Sequence, residues 1–246
     1  MQIGIGGDEL RRCSYAEFRH RLSAHYGDVM PEDAGSLAHG PSRPAPAPHA
    51  MPPPDYLAGR YLTLSRAWSP RNPDSLIWGV TTLTRHASGT MSADYVESLP
   101  WGDLVLSGDL LRLGRSLFAP LASADKEVVF SVIYALPSPP GVVLGGVVGG
   151  VTAYDAEMRP VAGRIVSLRL PEEVVPRVKS AAYLPGDPDL VAERMTAFGF
   201  GASQAARLAP EVVDFITAPG DGGLVETRIH SLNRMVGKYH EAAMTP

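Results

Sequence analysis

Residues 41–54 read PSRPAPAPHAMPPP, and this tract decides where folded structure can begin. Proline fixes its own φ and lacks an N–H, so such a run is extended, semi-rigid and unable to build a core. Upstream, residues 1–40 are predicted to form a small helical appendage. Ser14 and Glu17 make a capping box, Phe18, Leu22 and Tyr26 repeat at helical spacing, and Gly27 and Pro31 end the segment. The tether, residues 41–56, closes on Pro53-Pro54-Asp55-Tyr56. Residues 57–246 are then expected to form one compact domain.

Composition narrows the function classes. The chain of 246 residues is 45% hydrophobic and 20% charged, as globular proteins are. Its net charge of -4 argues against a general nucleic-acid binder, and no direct sequence-specific nucleic-acid binding is expected. The single cysteine, Cys13, cannot form an internal disulfide. Asp8, Glu9, Arg11 and Arg12 interrupt any early apolar run, and the apolar stretch 141–151 is too short to span a bilayer as a helix. A soluble or peripheral protein is expected.

Within the domain, Tyr61–Leu64 and Leu76–Arg85 read as strands. Ser92–Glu97 is predicted to open a helical region that continues through Leu104, Leu106, Leu110, Leu111, Leu113, Leu117, Phe118 and Leu121. Pro100 and Gly102 split it and Pro120 ends it. Glu127–Leu136 and Val142–Tyr154 make a hairpin around Ser138-Pro139-Pro140-Gly141. The Gly145-Gly146 and Gly149-Gly150 pairs inside its second strand signal a bulge or a close backbone approach. Val161–Leu170 alternates as a strand. Pro188–Phe198 reads as a helix with Asp187 as N-cap and Pro188 at its first position; 202–208 reads as another helix, and 222–232 as a strand or short helix. The predicted fold class is α+β: an antiparallel sheet packed by helices, behind the appendage and the tether.

No catalytic motif is present: neither GxSxG, HExxH, CxxC, a phosphate-binding loop nor GxGxxG occurs. His20 and His25 are five apart, off a common helix face, and no metal or cofactor is expected. Two features point to partners. Arg60, Arg66, Arg71 and Arg85 stand against one acid, Asp74, across residues 57–86, and Trp68 lies on the same basic stretch. Clustered, they would meet a membrane or phosphate; scattered, they are solvated positions, with Trp68 capping the core. The tetrad Pro53, Pro54, Asp55, Tyr56 fits a WW-domain ligand, because prolines pre-set polyproline II and the tyrosine adds a rigid ring. In a tract so rich in proline it also arises by composition.

The tetrad on its arm, followed by a strand, a broken helical region with Trp101, further strands and a late helix with the run Arg194 to Gly199, resembles the matrix proteins of rhabdoviruses over residues 52–200. The acidic arm and the helix expected within residues 1–40 depart from that pattern. The resemblance implies a structural protein that self-associates under a membrane, links nucleocapsid to envelope and promotes budding. It implies four partners: WW-containing HECT-type ubiquitin ligases, other copies of the chain, the viral nucleocapsid and an anionic membrane surface. It places the chain beneath the virion envelope, in host cytoplasm and on the inner face of host membrane. The alternatives are a bacterial or phage α+β binding or regulatory domain in bacterial cytoplasm, and an enzyme with an unrecognised site.

Overall fold

The computed structural model describes residues 51–68, 72, 74–99, 102–151, 159–171, 183–219 and 225–243. The appendage 1–40, the first part of the tether, Cys13, His20, His25, Arg71 and Trp101 lie outside the described residues.

Among the described residues ten strands form one sheet: β1 (Gly59–Arg66), β2 (Ser75–Arg85), β3 (Met91–Leu99), β4 (Gly102–Asp109), β5 (Leu111–Leu113), β6 (Ser116–Ala122), β7 (Val129–Ala135), β8 (Val143–Val151), β9 (Pro160–Arg169) and β10 (Tyr183–Pro185). Each of β1, β2, β3, β4, β6, β7, β8 and β9 pairs antiparallel with the next, and β9 returns to β1 through Tyr61↔Arg169 and Thr63↔Ser167. The result is a closed 8-strand up-and-down barrel. Closure leaves those strands without the open edges of a flat sheet. Three helices follow among the described residues: α1 (Pro188–Ala197), α2 (Ala202–Thr217) and α3 (Ile229–Ala243).

The α+β expectation is therefore overturned, and the helical region 92–121 is the reason. Its apolar residues recur every second position. Met91, Ala93 and Tyr95, then Leu104 and Leu106, then Leu117, Ala119 and Leu121 are buried, while Val105 and Pro120 between them are exposed. Counting leucines suggested a broad helical face; their spacing is that of strands. Leu111, Arg112 and Leu113 continue the register of β4 on β6 beyond a break at Leu110, whose N–H bonds the Met91 carbonyl at 2.8 Å. Gly114, at φ 62, turns the hairpin into β6.

Two cores follow from the alternation. The inner one draws on all eight barrel strands: Tyr61, Leu83, Tyr95, Leu106, Leu117, Val132, Leu144 and Ile165 each come from a different one. The outer core takes the opposite residues of β1, β2, β8 and β9, among them Leu62, Leu64, Trp78, Val143, Val166 and Leu168, and seals them under the helices. Asp187 caps α1 by accepting the Asp189 N–H at 2.8 Å, with Pro188 at the first position, as the sequence reads. In α2 the buried residues Ala205, Leu208, Ala209, Val212, Phe215 and Ile216 follow helical periodicity through Pro210. The close approach signalled by the β8 glycines is realised at Gly145, where a Cβ would lie 2.0 Å from Leu232 of α3. Arg164, 5% exposed, fixes the helices to the barrel by donating to the Phe215, Ala218 and Glu226 carbonyls. It thereby serves the C-terminal carbonyls of α2, where positive charge also suits the helix dipole.

Candidate functional site

One end of the barrel is shut by the residues of the tetrad. Asp55–Leu57 forms a 3-10 turn beneath β1, and Leu57 is fully buried in the inner core. Tyr56 packs against the same core and donates its hydroxyl to the Pro137 carbonyl at 2.7 Å. Arg85 donates to the Pro53 carbonyl and pairs with Asp55, both at 3.0 Å. Arg169 reaches from β9 to the Tyr56 and Ala58 carbonyls at 2.5 and 2.9 Å and to the Tyr61 hydroxyl at 2.6 Å. Pro53-Pro54-Asp55-Tyr56 is thus part of the barrel's base. To lie on a WW domain as polyproline II it must first leave that base and uncover Leu57.

Of the candidate basic residues, Arg60, Arg66 and Arg85 are described and stand at different places on the barrel. Arg85 is engaged at the base. Arg66, at the opposite end of β1, pairs with Asp74 at 3.4 Å, and Arg60 sits half-buried near the base. Trp68 is half-buried: it meets Phe130 edge-on at 5.0 Å, and its indole N–H is buried without an acceptor.

Between the two ends the interior is unusually polar. The Thr63 hydroxyl bonds Thr81 at 2.7 Å and Ser167 at 2.8 Å, and Ser167 bonds Tyr134 at 3.0 Å. Burial pushes the Tyr134 phenol up to about 12, against the Ser167 and Thr81 hydrogen bonds. These hydroxyls satisfy one another, as buried polar groups must.

Nearer the mouth stands a group that is not so provided. Glu97 of β3 is 4% exposed, and its hydrogen-bond partner is the Tyr95 hydroxyl, which donates to Oε2 at 2.6 Å. The two residues are two apart on one strand, so their side chains rise from the same inward face. Gly79 of β2 makes room for this arrangement: a Cβ there would lie 2.7 Å from the Tyr95 ring and 2.6 Å from the Val96 carbonyl oxygen. Leu104 of β4 is opposite Glu97 in the register. Burial lifts the Glu97 carboxyl from 4.5 to about 7, although the Tyr95 hydrogen bond opposes the rise. Burial and the neighbouring carboxylate raise the Tyr95 phenol in turn.

Glu97 also marks a seam in the wall. β2 and β3 pair from Arg85↔Met91 up to Val80↔Val96; beyond that point β3 continues on β4 while the β2 residues Ile77, Leu76 and Ser75 pair with β10. Around the barrel β8 stands opposite β3, and its neighbours β7 and β9 carry Phe130 and Gly163, beside which Trp68 lies. Towards this end of the barrel β3 thus carries an acid and the strands flanking β8 carry or adjoin an aromatic pair, with Leu99 and Val128 half-buried. A carboxyl poised near neutrality in such a setting suits proton exchange or recognition of a donor. Among the described residues no three His, Cys, Asp or Glu side chains gather as a metal site. Reading 92–97 as helix concealed Glu97; as a strand, Asp94-Tyr95-Val96-Glu97 would have put the phenol and the acid side by side. No protein-family model matches the chain, and no curated protein matches it in sequence.

Proposed function

We propose that the protein is a small-molecule-binding barrel. Its ligand enters at the end where β2 and β3 part and uses Glu97 and Tyr95 as a polar handle. The observation that supports this most directly is Glu97 itself, an acid 4% exposed with one hydrogen-bond donor. An eight-stranded barrel has an interior wide enough to be filled by side chains or to hold one small ligand. Below Glu97 the interior is filled by Tyr61, Tyr95, Tyr134 and the leucines of the inner core. Above it Leu99, Val128 and Phe130, which pack against the inner core, are only half-buried. An apolar rim around a few convergent polar groups is the common form of a ligand site. The geometry favours this reading over a matrix-like layer protein, whose recruiting tetrad here is engaged in the base.

The test uses Trp68 as reporter. The chain has three tryptophans, so replacing Trp78 and Trp101 by Phe leaves Trp68 as the sole emitter. Titration with neutral, cationic and anionic amphiphiles below their micelle concentrations should produce a saturable change in its emission for at least one class. Unsaturable or absent responses to all three would sink the proposal.

A further inference from the structure

Building on that ligand-binding reading, we infer that the polar end of the ligand is a cationic amine, held by the Glu97 carboxylate with the Trp68 and Phe130 rings toward the same end of the barrel. The inference turns on which partner the interior lacks. Glu97 accepts from Tyr95 through Oε2, and no other described residue bonds its carboxyl. An ammonium supplies a donor and a compensating charge together. A hydroxyl supplies only the donor, and a carboxylate would meet Glu97 as a like charge in a dry setting.

The other interior charges strengthen the choice. Arg85 and Arg169 are cations on inward-facing strand positions, but both lie at the opposite end, bound to the Pro53, Tyr56 and Ala58 carbonyls, the Asp55 carboxylate and the Tyr61 hydroxyl. An anionic ligand at the mouth therefore finds no inward cation among the described residues. Trp68 and Phe130 add ring faces and edges by the strands flanking β8, a surface that accommodates amine cations and their alkyl stems. The groups beside Glu97 are Tyr95 on its own strand, Gly79 on β2 and Leu104 on β4. Tyr95, its one titratable neighbour among them, has a phenol held above its ordinary range and stays neutral through the physiological window. Ionisation at the mouth is therefore that of Glu97, and amine binding should strengthen as pH rises through neutrality.

The experiment compares decylamine, decanol and decanoate on the full chain carrying only Trp68, below their micelle concentrations, at pH 8 and pH 5. At pH 8 decylamine should bind about 10- to 100-fold more tightly than decanol, the usual worth of a charge-assisted bond. That preference should shrink at pH 5, and Glu97→Gln should abolish it. Equal binding of decylamine and decanol, or tightest binding of decanoate, overturns the amine assignment and leaves the barrel reading intact. Binding of none of the three overturns both.

Discussion

Replacing Glu97 by glutamine should make the protein more stable, and only above a definite pH. The carboxyl ionises near 4.5 when exposed and at about 7 in the folded chain. Below the lower value both states hold the proton and the group has no effect on stability. Between the two values the folded state keeps a proton that the unfolded state has released. Stability then falls as pH rises, by about 1.4 kcal/mol per pH unit. Above about 7 the loss levels off near 3 kcal/mol, an order-of-magnitude figure for a group with 4% exposure. Glutamine keeps the shape and still accepts from Tyr95, but it does not titrate. Urea denaturation of both proteins from pH 4 to pH 8 should therefore give curves that coincide at the acid end and separate by about 3 kcal/mol at the alkaline end. Tyr95→Phe is the control: without the donor, ionised Glu97 is costlier, so that variant should lose more stability at pH 8 than at pH 4. A difference between wild type and Glu97→Gln that is flat across the pH range would refute the reasoning, because it would mean that Glu97 is not buried as an acid.

Three further substitutions test the frame that positions this group. Tyr56→Ala should destabilise by about 3 kcal/mol, since it removes a ring packed on the inner core together with a 2.7 Å hydrogen bond; an unchanged denaturation midpoint would show that the tetrad does not belong to the base. Arg164→Met should lower the midpoint by an amount equivalent to about 2–4 kcal/mol and loosen α2 first, because the Phe215, Ala218 and Glu226 carbonyls lose their shared donor; hydrogen exchange at the end of α2 reads this out directly. Gly79→Ala should displace the Tyr95 ring, as its Cβ would sit 2.7 Å from that ring; the near-ultraviolet tyrosine signal should change, and Glu97 should ionise at a different pH.

Much of the barrel was legible because its signals are local. β1, β2, β7, β8 and β9 are dense in β-branched and apolar residues between turn residues, and α1 announces itself through Asp187 and Pro188. What local signals cannot carry is closure. The pairing of Tyr61 with Arg169 joins distant parts of the chain, and nothing near either residue specifies it. The stretch 92–121 failed for another reason: leucine-rich segments satisfy a broad helical stripe and an alternating strand almost equally well, and only strict attention to the period separates them. That one misreading hid three barrel strands and the candidate site together. The tetrad shows a different limit. Its prolines do favour extended chain, but Tyr56, Leu57 and Arg85 supply contacts that fix it to the barrel, and a single sequence does not display a tertiary anchor of that kind.

The two ends of the barrel carry different polar groups, and the difference bears on the proposed site. At the base, Arg85 and Arg169 meet carbonyls, a carboxylate and a hydroxyl, and the Tyr61 and Tyr56 hydroxyls meet carbonyls in turn. Several contacts converge on this closing element, although the Arg169 Nε is buried without a partner. At the mouth, Glu97 has one donor where an ionised carboxylate has room for several. If Glu97 served only the fold, a leucine like its neighbour Leu104 would fill the same inward position without the penalty of burying an acid, and the barrel would be more stable for it. The position therefore makes physical sense when a second molecule completes the hydrogen bonding. The consequence is measurable in one comparison: an amine that binds at the mouth should raise the stability of the wild-type chain at pH 8 more than that of Glu97→Gln, narrowing the gap between the two as its concentration rises.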